Sequence, residues 1–582
     1  MFYFIYQVFQ VCYNSFMNKL ISNNWTKAIT INLIILIAVF YISDLVYETN
    51  DDFAISSRIA AGYPYVGFIN YFFCKVLVPV QKVFTSVNVF VVSQITFSFV
   101  GFVLILKLLL DSNKNKAIIV LSTFVITLFS FDHYAAIQFT KTAALLLTAG
   151  MLTIVDSMVN KRTLIYYIYG VLLLYVGVSY RPDGLICVIG YAGLFLMAWV
   201  LANRKIIIPE GYLKPKRIML YLTLLILIGL SWCYYGVSER INESGELKGY
   251  SDYSELRSDV VDYPVYNRYD ENKEQYNEIG ISENDLYLID RWYLDYDGAA
   301  SAENLSKILE IDNKSTKAPY TMEMALKQFL SDVREEIREL SFTGVHILLL
   351  VILAAVMCIL LKPKHWIFIA AVGIYTLCIY LAVYHMQRPV YRALYVADLG
   401  ASIWLLYYLN NNIEPVRRMK ARSTFVIAAV ILTILLCYPI QQGCVQKHNH
   451  MQTKIMPKKL SNYIEMHEDS LFVFSASEKK FLTEFTEPLK SPGIDCEKNV
   501  IGAGSWGTLS PYVLDKMLKY DVSNPISGLI DNDNAYYVGN SNIDNLNEYY
   551  NKWYGNEHKT IKLIKISSVE GMTIWKVVST DM

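Results

Sequence analysis

The chain has 582 residues, 54% of them hydrophobic and only 18% charged, and its 52 basic and 52 acidic side chains cancel to zero formal charge. That profile belongs to a polytopic membrane protein with soluble insertions, not to a large soluble enzyme. The balanced charge, with no basic run interleaved by aromatics, excludes a nucleic-acid partner.

Residues 1–27 form an N-terminal segment that is aromatic-rich but broken by Gln7, Gln10, Asn14 and Asn18. It lacks a basic n-region and a small-residue cleavage site, so a cytoplasmic interfacial helix is expected rather than a signal peptide. Apolar runs of bilayer length follow near 28–46, 88–110, 117–132, 135–158, 164–180, 184–202, 218–237, 343–361, 365–384, 392–409 and 423–440. Basic residues gather in alternate loops, at Lys114 and Lys116, Lys161 and Arg162, Lys205 with Lys214, Lys216 and Arg217, Lys362 and Lys364, and Arg417 to Arg422. With those loops inside, about eleven spans result, N-terminus in and C-terminus out.

Residues 64–84 are apolar but carry Lys75, Lys82, Pro64 and Pro79. A crossing there would invert every later loop, so they read as amphipathic helices on the outer surface. The first outer loop then runs from 47 to 87, with Asn50, Asp51 and Asp52 at its start. A second outer loop, 238–342, is acidic and tyrosine-rich, with helical spacing of apolar residues near 321–341. The final region, 441–582, carries strand-like runs at 471–475, 498–503, 560–566 and 572–578, separated by helical stretches at 511–520 and 541–554. It is expected to be a small extracytoplasmic α/β domain. The fold class is therefore mainly α: a transmembrane helical bundle over 28–440, an outer helical loop region, and that C-terminal domain.

The nine cysteines show no C-x-x-C pair and no zinc spacing. Six lie in or beside apolar segments and read as packing; a Cys444–Cys496 pair in the last region stays open. Heavy use of Ile, Lys, Asn and Tyr points to an AT-rich, bacterial genome.

Several polar groups converge on the outer face. Asp51 and Asp52 are adjacent carboxylates at a membrane edge, costly unless water, a metal ion or a cationic partner relieves them. The plain alternative is a turn that starts a helix, since Asp and Asn cap helices and complement the dipole. Arg58, Asp132, His133 and Lys141 join them. So do the turn Arg181-Pro182-Asp183-Gly184 and His385, Arg388 and Arg392. Arg181 alternatively snorkels to headgroups from good turn chemistry, and Arg388 and Arg392 alternatively pair with lipid phosphates. Lys141, if it faces the bundle, needs an anion.

The first span delivers an acidic pair into the first outer loop, amphipathic outer helices follow, and a helical core and an extracytoplasmic C-terminal domain complete the chain. This layout resembles the GT-C superfamily of integral-membrane glycosyltransferases. Asn50-Asp51-Asp52-Phe53, Gln-Phe-Thr-Lys-Thr-Ala (138–143) and Arg181-Pro182-Asp183-Gly184 carry the likeness, over roughly residues 28–440. The resemblance implies a multi-pass enzyme of the cell membrane, with its active site on the extracytoplasmic face. Its donor would be a sugar on a polyprenyl phosphate, and its acceptor an envelope glycan, lipid or protein.

Asp51 or Asp52 would be the catalytic base. The other carboxylate would orient the acceptor or, with Asn50, hold a divalent cation such as Mg2+ or Mn2+. Arg58 and Asp183 are further substrate-binding candidates. Lys141, Arg181, Arg388 and Arg392 would bind the departing phosphate. The nearest rival is a polysaccharide polymerase or ligase working through Arg257 or Arg291 of the second loop. A transporter would need ionisable groups at the midplane, and an envelope scaffold would use 441–582 as its binding module.

Overall fold

The computed structural model describes residues 23–112, 116–202, 215–262, 269–314, 320–413, 422–455, 459–475, 478, 487–492 and 498–581. Most of the N-terminal segment, Cys496 and the basic residues Lys114, Lys205, Lys214, Arg417, Arg418 and Lys420 lie outside the described residues.

The described chain is mainly helical, with a small C-terminal sheet region. Eight helices are long and apolar enough to cross a bilayer: Asn24–Ile42, Val89–Ser112, Ala117–Ala135, Phe139–Val159, Gly184–Leu201, Met219–Asn242, Phe342–Leu360 and Pro363–His385. Leu164–Tyr180 is apolar but shorter, at 17 residues. Tyr391–Asn412 is buried through most of its length and carries Asp398, while Arg422–Ile455 continues well past its apolar part.

Contacts divide the protein into two compact units. The first comprises Met1–Glu48, Val92–Gly236 and Tyr320–Asn449. Its centre is Phe139–Val159, buried almost throughout. This helix meets Leu164–Tyr180 at a glycine crossing, where a Cβ on Gly150 would stand 2.7 Å from the Gly170 carbonyl and one on Gly170 2.9 Å from that of Gly150. Small residues let the two backbones approach, as packing in lipid requires. Ion pairs hold both ends of the central helix. Asp156 and Asp111 take Arg162 at 2.8 and 2.6 Å at one end, and Lys141 is the buried cation at the other.

The second unit comprises Thr49–Val91, Val237–Pro319 and His450–Met582. Its sheet contains β3 (Leu471–Phe474), β4 (Val500–Gly502), β5 (Ala535–Val538), β6 (Lys559–Val569) and β7 (Met572–Asp581), numbered after a two-residue parallel pair in the first unit, β1 (Val46–Tyr47) and β2 (Ala136–Ile137). The order is β4-β3-β5-β7-β6; the first three are parallel, and β7 runs antiparallel to both its neighbours. The core joins sheet residues such as Val473, Ile501 and Tyr537 to Tyr276, Leu286 and Leu305 of the 238–342 region. Thus the region expected as a separate α/β domain shares its interior with residues 253–308.

Polar ties reinforce that shared core. A Ser282–Asp285 capping box starts the helix Glu283–Asp290, and Asp285 also accepts from Trp553 Nε1 at 2.8 Å and pairs with Lys552. Asp295, 1% exposed, accepts from Tyr549 at 2.9 Å, Tyr554 at 2.6 Å and Asn524 at 2.9 Å. Asp295→Ala leaves these donors buried without their acceptor, at a cost of about 3 kcal/mol or more. Thermal unfolding of the purified protein should show the transition of this unit several degrees lower, with the apolar helices retained by circular dichroism.

Candidate functional site

The helix Asn50–Ala60 places two carboxylates in its first turn and Arg58 in its last, each complementing the helix dipole. Successive residues step about 100° around a helix, so Asp51 and Asp52 cannot face the same way. Asp52 is fully buried. Asn50, Asp51, Ala54, Ser57 and Arg58 share one face, and that face lines a cavity of 410 Å³ within the second unit. The helix ends where Gly62 takes φ +92°.

The facing wall comes from the other segments of the same unit. The strand β4 leads into Gly502-Ala503-Gly504-Ser505-Trp506-Gly507-Thr508, a tight loop before the helix Pro511–Leu518. Ser505 N donates to Thr508 Oγ1 at 3.0 Å, and Gly507 N donates to Ser505 Oγ at 3.0 Å. Thr508 N donates to Ser505 O at 3.1 Å, so three of the loop's amides bond within it, and the helix starts four residues past the third glycine. The G-x-G-x-x-G spacing here serves packing rather than the strand–turn–helix cradle of dinucleotide folds.

The packing partner is Arg58, 4% exposed. Its guanidinium lies 4.0 Å from the Trp506 ring centre and 5.3 Å from that of Tyr512, and its Nη1 donates to Ala54 O at 2.9 Å. A Cβ on Gly507 would overlap Arg58 Nη2, and one on Gly504 would overlap the Trp292 carbonyl. Trp292 itself holds φ +64°, as does Leu509, and both line the cavity. Positive φ is a genuine outlier for residues of this bulk, and such strain clusters at functional sites. Arg291 and Lys516 complete the basic lining. Burial, with Asp297 and Asp295 nearby, pushes the Tyr296 phenol up. Burial and the bond to Asp515 push Tyr63 up to about 12, so both phenols stay protonated.

The other candidates belong to the first unit. Lys141 is fully buried, 2.5 Å from Glu48 and 3.1 Å from Asp132, with Tyr391 donating to the same aspartate. It faces the bundle and has the anion that the sequence demanded, twice over. Arg392 acts electrostatically on the same Glu48. Arg181 pairs with Asp183 at 2.7 Å, in line with the turn reading of Arg-Pro-Asp-Gly. Arg388 follows Gln387, at φ +56°, in the turn after Trp366–His385, its amide donating to Val383 O at 3.3 Å.

The divalent cation expected at Asp51 and Asp52 lacks a convergent donor set, because one carboxylate faces the cavity and the other the core. Among the described residues no group of three or more His, Cys, Asp or Glu side chains comes together as metal ligands. Sequence reasoning missed Lys516, Trp506 and Tyr512; the glycine spacing after a strand was the available signal.

No family model matches the chain, and neither a curated protein nor a solved structure matches it.

The loop geometry predicts a ranking. Gly502→Ala meets nothing nearer than 3.1 Å and should be mild. Gly507→Ala should displace Arg58 and cost about 1–3 kcal/mol, and Gly504→Ala, which meets backbone, should cost more. Melting temperatures of the three variants, with near-UV circular dichroism reporting the Trp506 stack, check the order.

Proposed function

We propose that the chain is an integral-membrane glycosyltransferase of the GT-C kind. It resides in a bacterial cell membrane with about eleven spans, N-terminus in and C-terminus out. It moves a sugar from a polyprenyl-phosphate carrier to an envelope glycan, lipid or protein on the extracytoplasmic face. The observation that carries this reading is a cavity that presents one carboxylate, Asp51, beside basic and aromatic side chains, in a protein with eight bilayer-length helices. Cavities of a few hundred Å³, lined by rings with a few convergent polar groups, are the usual form of small-molecule sites.

The chemistry assigned to these residues is direct. The acceptor hydroxyl gives its proton to Asp51 and its oxygen attacks the anomeric carbon. The bond from that carbon to the phosphate oxygen breaks, and the phosphate leaves with the electron pair. Basic side chains stabilise the developing anion. Asn50 and Ser57, on the same helix face, can orient hydroxyls. Asp52, in the core, acts through the fold. No step passes through a cation.

The polymerase or ligase alternative retains one supporting observation, that Arg291 lines the same cavity. Arg257 does not favour it: it is buried, 4.8 Å from the Trp292 ring centre and paired with Asp262 at 3.4 Å.

Asp51→Asn should lower transfer by about 10²–10⁴-fold, the range for a lost general base, with the yield of folded protein unchanged. Asp52→Asn should lower that yield instead. Membrane fractions incubated with radiolabelled polyprenyl-phosphate sugars read the first effect, and size-exclusion profiles read the second. Full transfer by both variants would end the proposal.

A further inference from the structure

The cations of the cavity are not spread evenly. Lys516 Nζ lies 4.4 Å from the Tyr512 ring centre, and Arg58 stands 5.3 Å from the same centre. Both side chains are at least nine-tenths buried. Two positive groups thus gather on one phenol in a cleft with restricted water, where electrostatic interactions are stronger than in bulk solvent. Lys516 Nζ also donates to Val500 O at 3.4 Å and Arg58 Nη1 to Ala54 O at 2.9 Å, and an anion entering the cavity meets a guanidinium and an ammonium on its lining. Asp515, next to Lys516, accepts from Tyr63.

Asp51 and Arg58 lie two helical turns apart on the helix face that lines the cavity, and the Arg58 guanidinium turns back one turn toward Asp51 to reach Ala54 O. Trp506 and Trp292 also line the cavity, and Asn50 and Asp51 offer acceptors for hydroxyl groups.

We propose that Arg58 and Lys516, gathered on Tyr512, form the phosphate subsite of this cavity, and that its ligand is a glycosyl phosphate whose sugar lies toward Asp51. This deepens the glycosyltransferase reading and rests on it for the identity of the ligand. It moves the phosphate-binding role from Lys141 and Arg181 of the first unit to residues of the second unit.

Equilibrium binding to the full-length protein in detergent tests the assignment with three probes: a polyprenyl phosphate, α-D-glucose 1-phosphate, and neutral methyl α-D-glucoside. At least one phosphate probe should bind, more weakly as salt rises, and the neutral glycoside should not compete. Lys516→Met keeps the buried stem and should weaken phosphate binding by roughly tenfold or more; Lys516→Arg should restore it. Binding of the lipid alone identifies the carrier's phosphate, and equal binding of glucose 1-phosphate identifies the phosphate group itself as sufficient. Failure of both probes on the wild type, or unchanged affinity in a folded Lys516→Met, overturns the subsite. Asp51→Asn should keep phosphate affinity while losing transfer. A protein that binds phosphate through Lys516 but transfers no sugar would refute the catalytic reading and leave the subsite standing.

Discussion

The stacking of Arg58 on Trp506 and Tyr512 is the interaction on which the candidate site depends. It joins a helix near residue 50 to a loop and helix near residue 510, far apart in sequence and adjacent in one compact unit. A buried guanidinium is tolerable only where rings and carbonyls replace its water. Gly507 makes room for it, and Gly504 brings the same loop against the backbone of Trp292. Remove any of these and the face bearing Asp51 loses its opposite wall.

The rest of the charge distribution follows a different rule. In the first unit, buried charges are matched locally: Lys141 with Glu48 and Asp132, Arg162 with Asp156 and Asp111. Among apolar helices an ion without its counter-ion is severely penalised, so such pairs are what allows those charges to exist there. The cavity of the second unit is lined by Arg58, Arg291 and Lys516 together with Asp51, and Arg291 also pairs with Asp290 at 3.2 Å.

Much of this architecture was legible locally. Hydropathy is a property of short windows, so each apolar run in the sequence falls on a helix. Strand patterns likewise mark β3, β4, β6 and β7, and the amphipathic spacing over 321–341 marks the helix Met322–Glu339. The four-residue strand β5, set among Asn and Asp, carried too little periodicity to be read. The carboxylate pair was legible as chemistry but not as geometry: only the 100° helical step separates a cavity-facing Asp51 from a core-bound Asp52. The partners of Arg58 were not legible, because nothing local in Gly-Ser-Trp-Gly names a cation more than 400 residues upstream. The shared core of 253–308 with the sheet is long-range for the same reason.

Photocrosslinking tests the central claim most directly. A polyprenyl-phosphate sugar with a photoreactive group on the sugar would be irradiated with the full-length protein in lipid nanodiscs, and the labelled peptides mapped. The account predicts label on residues 50–58 and 502–516, suppressed by excess unmodified lipid. Competable label confined to the apolar helices, with both of those segments clear, would contradict it.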